Sequence, residues 1–114
     1  MKGEQHYKRA KEIMESINVL VEKGMDKHVA TIVEQSYGAT HHLIAYGMEK
    51  KYGIHNDIHA GVSKLLREHG EHEIGEMFDR LGSLRQGRWY GGKGNGEIVK
   101  ECLSIINRIE EWIK

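Results

Sequence analysis

Apolar residues recur along this chain every three or four positions, the spacing of one helix face, and no stretch alternates as a half-buried strand would. Tyr7, Ala10, Met14, Ile17 and Val21 form the first stripe, widened by Ile13 and Leu20. Gly24 offers a stop, and Asp26 has the chemistry to cap the next helix. That second helix is predicted from about residue 27 to residue 51. Val29, Ile32, Val33, Ser36, Thr40, Leu43 and Gly47 trace one of its faces, and Tyr37, His41, Ile44 and Met48 the neighbouring one. Its small residues (Gly38, Ala39, Ala45, Gly47) allow another backbone to come close, at some cost in helix propensity.

Gly53 breaks the pattern, and Asn56 or Asp57 is positioned to cap a third helix carrying Ile58, Val62, Leu65 and Leu66. His69-Gly70 ends it. A fourth helix carries Ile74, Met77, Phe78, Leu81 and Leu84. A glycine-rich link over residues 91–96 leads to a fifth, where Ile98, Cys102, Ile105, Ile109 and Trp112 share a face. Short links between amphipathic helices predict an all-α, up-and-down antiparallel bundle of four to five helices, one domain over residues 1–114. No proline interrupts it.

Charge adds little direction. Seventeen Lys and Arg balance seventeen Asp and Glu, so no net field draws the chain to nucleic acid or to an anionic membrane. Any such contact has to come from a local patch. The single cysteine, Cys102, excludes an internal disulfide and a cysteine-based zinc site; its phase with Ile105 and Ile109 predicts a buried thiol rather than a nucleophile. The N-terminal residues are polar and charged, and no apolar run reaches membrane-spanning length. A cytoplasmic protein with no membrane partner is the expectation.

Four segments invite a chemical reading. GRWYGGKGNG (residues 87–96) resembles a phosphate loop in its glycines and lysine, but a helical segment precedes it and Gly94 stands where a magnesium-binding hydroxyl belongs. It reads as a link. Eight histidines are many for this length. Yet HNDIH (residues 55–59) lacks the glutamate of a metalloprotease helix, and His69 with His72 gives only H-x-x-H, so neither a metal nor another cofactor is expected. His41 and His42 are adjacent on the second helix, with His41 in phase with Tyr37 and Ile44. One buried imidazole is expected there, and histidine is also a candidate general base.

LRQGRWY (residues 84–90) is the fourth. Arg85 follows Leu81 by four and Phe78 by seven, which aims a guanidinium along the apolar seam. Such a cation needs a carboxylate or phosphate partner. Arg88, Trp89 and Tyr90 set a second cation beside two aromatic rings, a combination suited to phosphate and base. An arginine paired to a neighbouring helix, with Trp89 as an interface aromatic, fits the same residues.

Three patterns together resemble the HEPN family (higher eukaryotes and prokaryotes nucleotide-binding). SYGATHHLIAYG (residues 36–47) is similar to its second-helix signature, a tyrosine pair, small residues and a phenylalanine-histidine pair. Tyr37 matches the first tyrosine and His42 the histidine; Gly38 and His41 replace the others. HAGVSKLL (residues 59–66) resembles the start of the third helix. LRQGRWYGG (residues 84–92) resembles L-R-x-x-A-D-Y-G, with Arg85 and Tyr90 matching and Arg88 and Trp89 in place of Ala and Asp.

The resemblance implies a helical bundle, commonly a homodimer, and either ribonuclease activity or partnership with a minimal nucleotidyltransferase in a toxin–antitoxin operon. Its ribonuclease motif places a histidine shortly after the arginine. Here Tyr90, Gly91, Gly92 and Lys93 follow instead, so the motif is incomplete unless His41 or His42 substitutes. The expected function is therefore nucleotide or RNA binding by Arg85, Arg88, Trp89, Tyr90, Tyr37 and His42. A residual metal-independent endoribonuclease and a ligand-free helical interaction module are the alternatives.

Overall fold

The structure is a computed structural model that describes residues 2–55, 61–87 and 96–114. Five helices fill those segments: α1 (Gly3–Glu22), α2 (Val29–Tyr52), α3 (Val62–Glu68), α4 (His72–Arg85) and α5 (Gly96–Trp112). Among the described residues there is no strand. The all-α expectation holds, with one boundary corrected. Asp26 does not cap α2, because residues 25–27 are spent in a turn in which Lys27 N–H donates to the Gly24 carbonyl at 3.3 Å. His28 takes the cap position. The proposed α3 caps, Asn56 and Asp57, lie outside the described residues, as do Ile58 and residues 91–95 of the glycine-rich link.

Residue pairs fix the helix directions. Gly3 lies by Glu49, Tyr7 by Tyr46 and Ile13 by Gly38, so α1 runs against α2. Tyr37 meets Phe78 while Glu34 meets Arg85, so α4 also opposes α2. Ser36 neighbours Cys102 and Gly47 neighbours Trp112, which makes α5 parallel to α2. Arg80 with Glu101 and Arg108 with Glu73 then set α4 against α5. These directions agree with an up-and-down arrangement of α1, α2, α4 and α5, and α3 leans on α4 through Arg67 and Asp79.

Helix α2 is the central element. Ile32, Val33, Ala39, Leu43, Ile44 and Met48 are all buried, because α1, α4 and α5 cover it from different sides. Burying a leucine or isoleucine of this kind contributes about 1.5–3 kcal/mol each. The small residues serve different contacts. Gly47 accommodates the Trp112 ring and Ile113, which leave no room for a β-carbon. Gly38 faces Ile13 at a distance that would accept one.

Two stripes sit rotated from their predicted phase. On α1 the buried positions are Gly3, His6, Ala10 and Ile17, while Tyr7, Met14 and Val21 are only partly covered. On α5 Val99 and Ile106 join Cys102, Ile105 and Ile109 in the core, and Ile98 is half-buried. Gly53, at φ +67°, stops α2 in the left-handed conformation that glycine adopts without strain. Gly87, at φ +81°, does the same after α4 and so fixes where Arg85 stands, in the last turn of its helix.

Candidate functional site

Phe78, Gly82 and Arg85 fall at i, i+4 and i+7 on α4, one face of the helix. Tyr37 of α2 lies against that face. Its ring stacks on Phe78 with centroids 4.8 Å apart and planes at 24°. Beside Gly82 it meets no side chain, and the Arg85 guanidinium carbon lies 4.6 Å from its centroid. The sequence phase that placed Arg85 on the apolar seam is right about the face and wrong about the depth. Arg85 is 43% exposed, because the last turn of α4 projects the long side chain outward over the tyrosine.

Glu34, one turn before Tyr37, completes the arrangement. Arg85 Nε lies 3.0 Å from each of its carboxylate oxygens. That hydrogen bond, with the charges of Glu34 and the Tyr37 hydroxyl, outweighs partial burial and holds the guanidinium protonated beyond its ordinary range. The carboxylate partner anticipated for Arg85 is thus present within the chain. With Glu34 58% exposed, such a pair contributes at most about 1 kcal/mol, and the cation–π contact on a wet surface adds about 0.5–1 kcal/mol. An anion offering a bidentate, charge-assisted bond competes on nearly equal terms.

Next to the stack an open cleft of about 400 Å³ runs between α2, α3 and α4. Tyr37 and Phe78 are its aromatic walls, and Lys64, Ser83 and Gln86 bring donors. Asp79 also lines it. Burial alone would raise the Asp79 carboxyl, but the Ser63 hydroxyl and Arg67, which donates to it at 2.8 Å, together hold it below the usual carboxylate range. Among the described residues Asp79 is the one carboxylate lining the cleft, and donors already engage it.

The other expected site residues divide. Arg88, Trp89 and Tyr90 lie outside the described residues. His42 does not join Arg85: it is on the α1 side of α2, where its Nδ1 lies 2.8 Å from Nδ1 of His6. Five residues along a helix turn a side chain by about 140°, which separates His42 from Tyr37. His41 is the buried imidazole that was expected, 4% exposed, and it lies between the two groups. Its ring centroid is 5.5 Å from that of His42 and 6.4 Å from that of Phe78.

Glu34 and His6 were not singled out from the sequence. The signal for Glu34 was its i,i+3 relation to Tyr37, and for His6 its phase with Ala10 and Ile17. Cys102 is buried and free, and desolvation pushes its thiol up to about 11 despite a bond to Ser36. It is unsuited to nucleophilic work. Comparison with protein-family models, with curated proteins and with solved structures finds no match. Among the described residues no helix is long and apolar enough to cross a membrane.

Proposed function

We propose that this chain is a HEPN-like module that binds a nucleotide or a short stretch of single-stranded RNA at the α2–α4 face. The observation that carries the reading is the Arg85 guanidinium held over Tyr37 beside an aromatic-walled cleft with hydroxyl, amide and ammonium donors. Arg85 engages phosphate by exchanging Glu34 for it. Lys64, Ser83 and Gln86 offer hydrogen bonds to sugar and base edges, and Phe78 with Tyr37 provides the apolar wall. The resemblance in residues 36–47, 59–66 and 84–92 supports the same reading through Arg85 and Tyr90, and the charge of Arg88 and the ring of Trp89 suit the same ligand. It also favours a homodimer, partnered with a minimal nucleotidyltransferase in a toxin–antitoxin-like system.

Cleavage of RNA has less support. His41 neighbours Phe78 of the stack at a centroid distance of 6.4 Å, and His42 is engaged with α1. The ligand-free interaction module has one observation in its favour, that Glu34 already satisfies Arg85. Fluorescence anisotropy of labelled single-stranded RNA and of labelled ATP separates the two. Saturable binding that weakens about tenfold or more in Arg85→Ala supports the proposal, since a hydrogen bond to a charged group contributes about 1.5–3 kcal/mol. Absence of binding by the wild-type chain, or equal binding by the variant, leaves the interaction module.

A further inference from the structure

We infer that Arg85 is the base platform of the α2–α4 face: a nucleobase stacks on the outer face of its guanidinium, and the site thereby prefers a purine. The inference rests on the nucleotide or single-stranded RNA binding proposed above. Phe78 and Tyr37 stack with centroids 4.8 Å apart, and Phe78 is only 4% exposed, so no base enters at that end. Arg85 stands two turns further along the same face of α4, and the Tyr37 ring lies over Gly82 between them. Its guanidinium carbon is 4.6 Å from the Tyr37 centroid. Seven helical residues rise about 10.5 Å, close to the two spacings combined, so Phe78 and Arg85 cover opposite faces of the tyrosine. Both rings line the cleft with their edges, and neither has a face left for a base.

The third layer is the one that remains open. Guanidinium donors lie in the plane of the group, and Nε is directed at Glu34, 3.0 Å from each carboxylate oxygen. With Tyr37 against one face and Glu34 at one edge, the exposure of a side chain 43% open falls on the outer face and the remaining edge. A planar cation held in this way accepts a base by stacking, and cation–π attraction strengthens the contact. The edge exchanges Glu34 for a phosphate while the face holds a base, so one arginine serves neighbouring parts of a single strand. A purine covers more of the guanidinium than a pyrimidine does, and stacking strength of this kind gives a modest base preference. Lysine supplies the charge without the face, which separates the two roles.

Anisotropy titrations of the full chain with labelled oligoadenylate, oligouridylate and an abasic strand of equal length test the inference. The wild type should bind oligoadenylate a few-fold tighter than oligouridylate, and at least about fivefold tighter than the abasic strand, as the loss of one stacked base predicts. Arg85→Lys should bind the abasic strand nearly as well as the wild type and show no preference for purine. In the wild type, the Arg85 Cδ proton resonances should move upfield with oligoadenylate, under the ring current of the stacked base, and stay in place with the abasic strand.

Equal wild-type binding of oligoadenylate and the abasic strand overturns the platform and leaves the phosphate contact standing. That comparison does not depend on how any variant folds. A purine preference retained by Arg85→Lys, or unmoved Arg85 resonances under saturating oligoadenylate, also overturns it. Failure of the wild type to bind any of the three strands overturns the proposed function itself, and the platform with it.

Discussion

Arg85 of α4 and Glu34 of α2 form a pair in which one guanidinium nitrogen contacts both carboxylate oxygens at 3.0 Å, on a surface open to water. In the proposed function Glu34 competes with phosphate for this guanidinium. The contact joins two helices and at the same time occupies the cation on which the proposed function rests.

Glu34→Gln should therefore tighten binding of single-stranded RNA or nucleotide, because the neutral amide competes less well than a carboxylate for the guanidinium. An increase of a few-fold is expected, in keeping with an exposed pair contributing at most about 1 kcal/mol. Removal of one phosphate contact by Arg85→Ala should also flatten the plot of log K against log salt by about 0.7. Anisotropy titrations at several salt concentrations check both outcomes, and weaker binding by Glu34→Gln would contradict the competition.

Gly47→Ala should destabilise the fold by about 1–3 kcal/mol, as overpacked core positions do. A β-carbon at this position would come to 2.8 Å from Trp112 Cη2 and 2.9 Å from Ile113 Cγ2. Gly38→Ala is the matching control. Its β-carbon would rest 3.7 Å from Ile13 Cδ1, so the gain in helix propensity should leave it neutral or more stable by about 0.5–1 kcal/mol. Urea unfolding of the two variants measures the difference.

Acid should loosen the α3–α4 contact. Ser63 and Arg67 hold the Asp79 carboxyl below its ordinary value. The unfolded chain thus takes up that proton first as the pH falls. The stabilisation is full above the ordinary carboxylate range and is lost as the pH drops through the folded value. Asp79→Asn should show a smaller loss of unfolding free energy between neutral and acidic pH than the wild type. Identical pH profiles would show that the contact contributes nothing.

Cys102 should resist alkylation in the native protein. Its thiol is buried and pushed from 9.0 to about 11, so little thiolate exists near pH 8. Iodoacetamide labelling followed by mass spectrometry should show slow modification that becomes fast in urea. Folding stability should also fall as the pH rises from 9.0 toward 11, because only the unfolded thiol ionises readily in that range.

The helical class was legible in the sequence because helical periodicity is a local property, set by which residues share a face. Tyr37, His41, Phe78, Cys102 and Arg85 were each assigned to the correct helix on that ground alone. Depth was harder to read. Arg85 was expected along the seam, but a side chain on the last turn of α4 has solvent within reach. Tyr7 and Ile98, predicted inward, gave way to His6 and Val99 because neighbouring helices select the buried arc and periodicity fixes it only to within a residue.

By itself, then, the sequence determined the all-α class, a count of four to five helices, the burial of Cys102 and the face of α4 that carries Arg85. The tertiary structure alone decided the partners: Glu34 for Arg85, Trp112 for Gly47, and His6 rather than Arg85 for His42. The physical reason is range. Helix propensity and periodicity act over three or four residues, whereas these pairings join positions 36 to 65 residues apart. They exist only once α1, α4 and α5 have docked around α2.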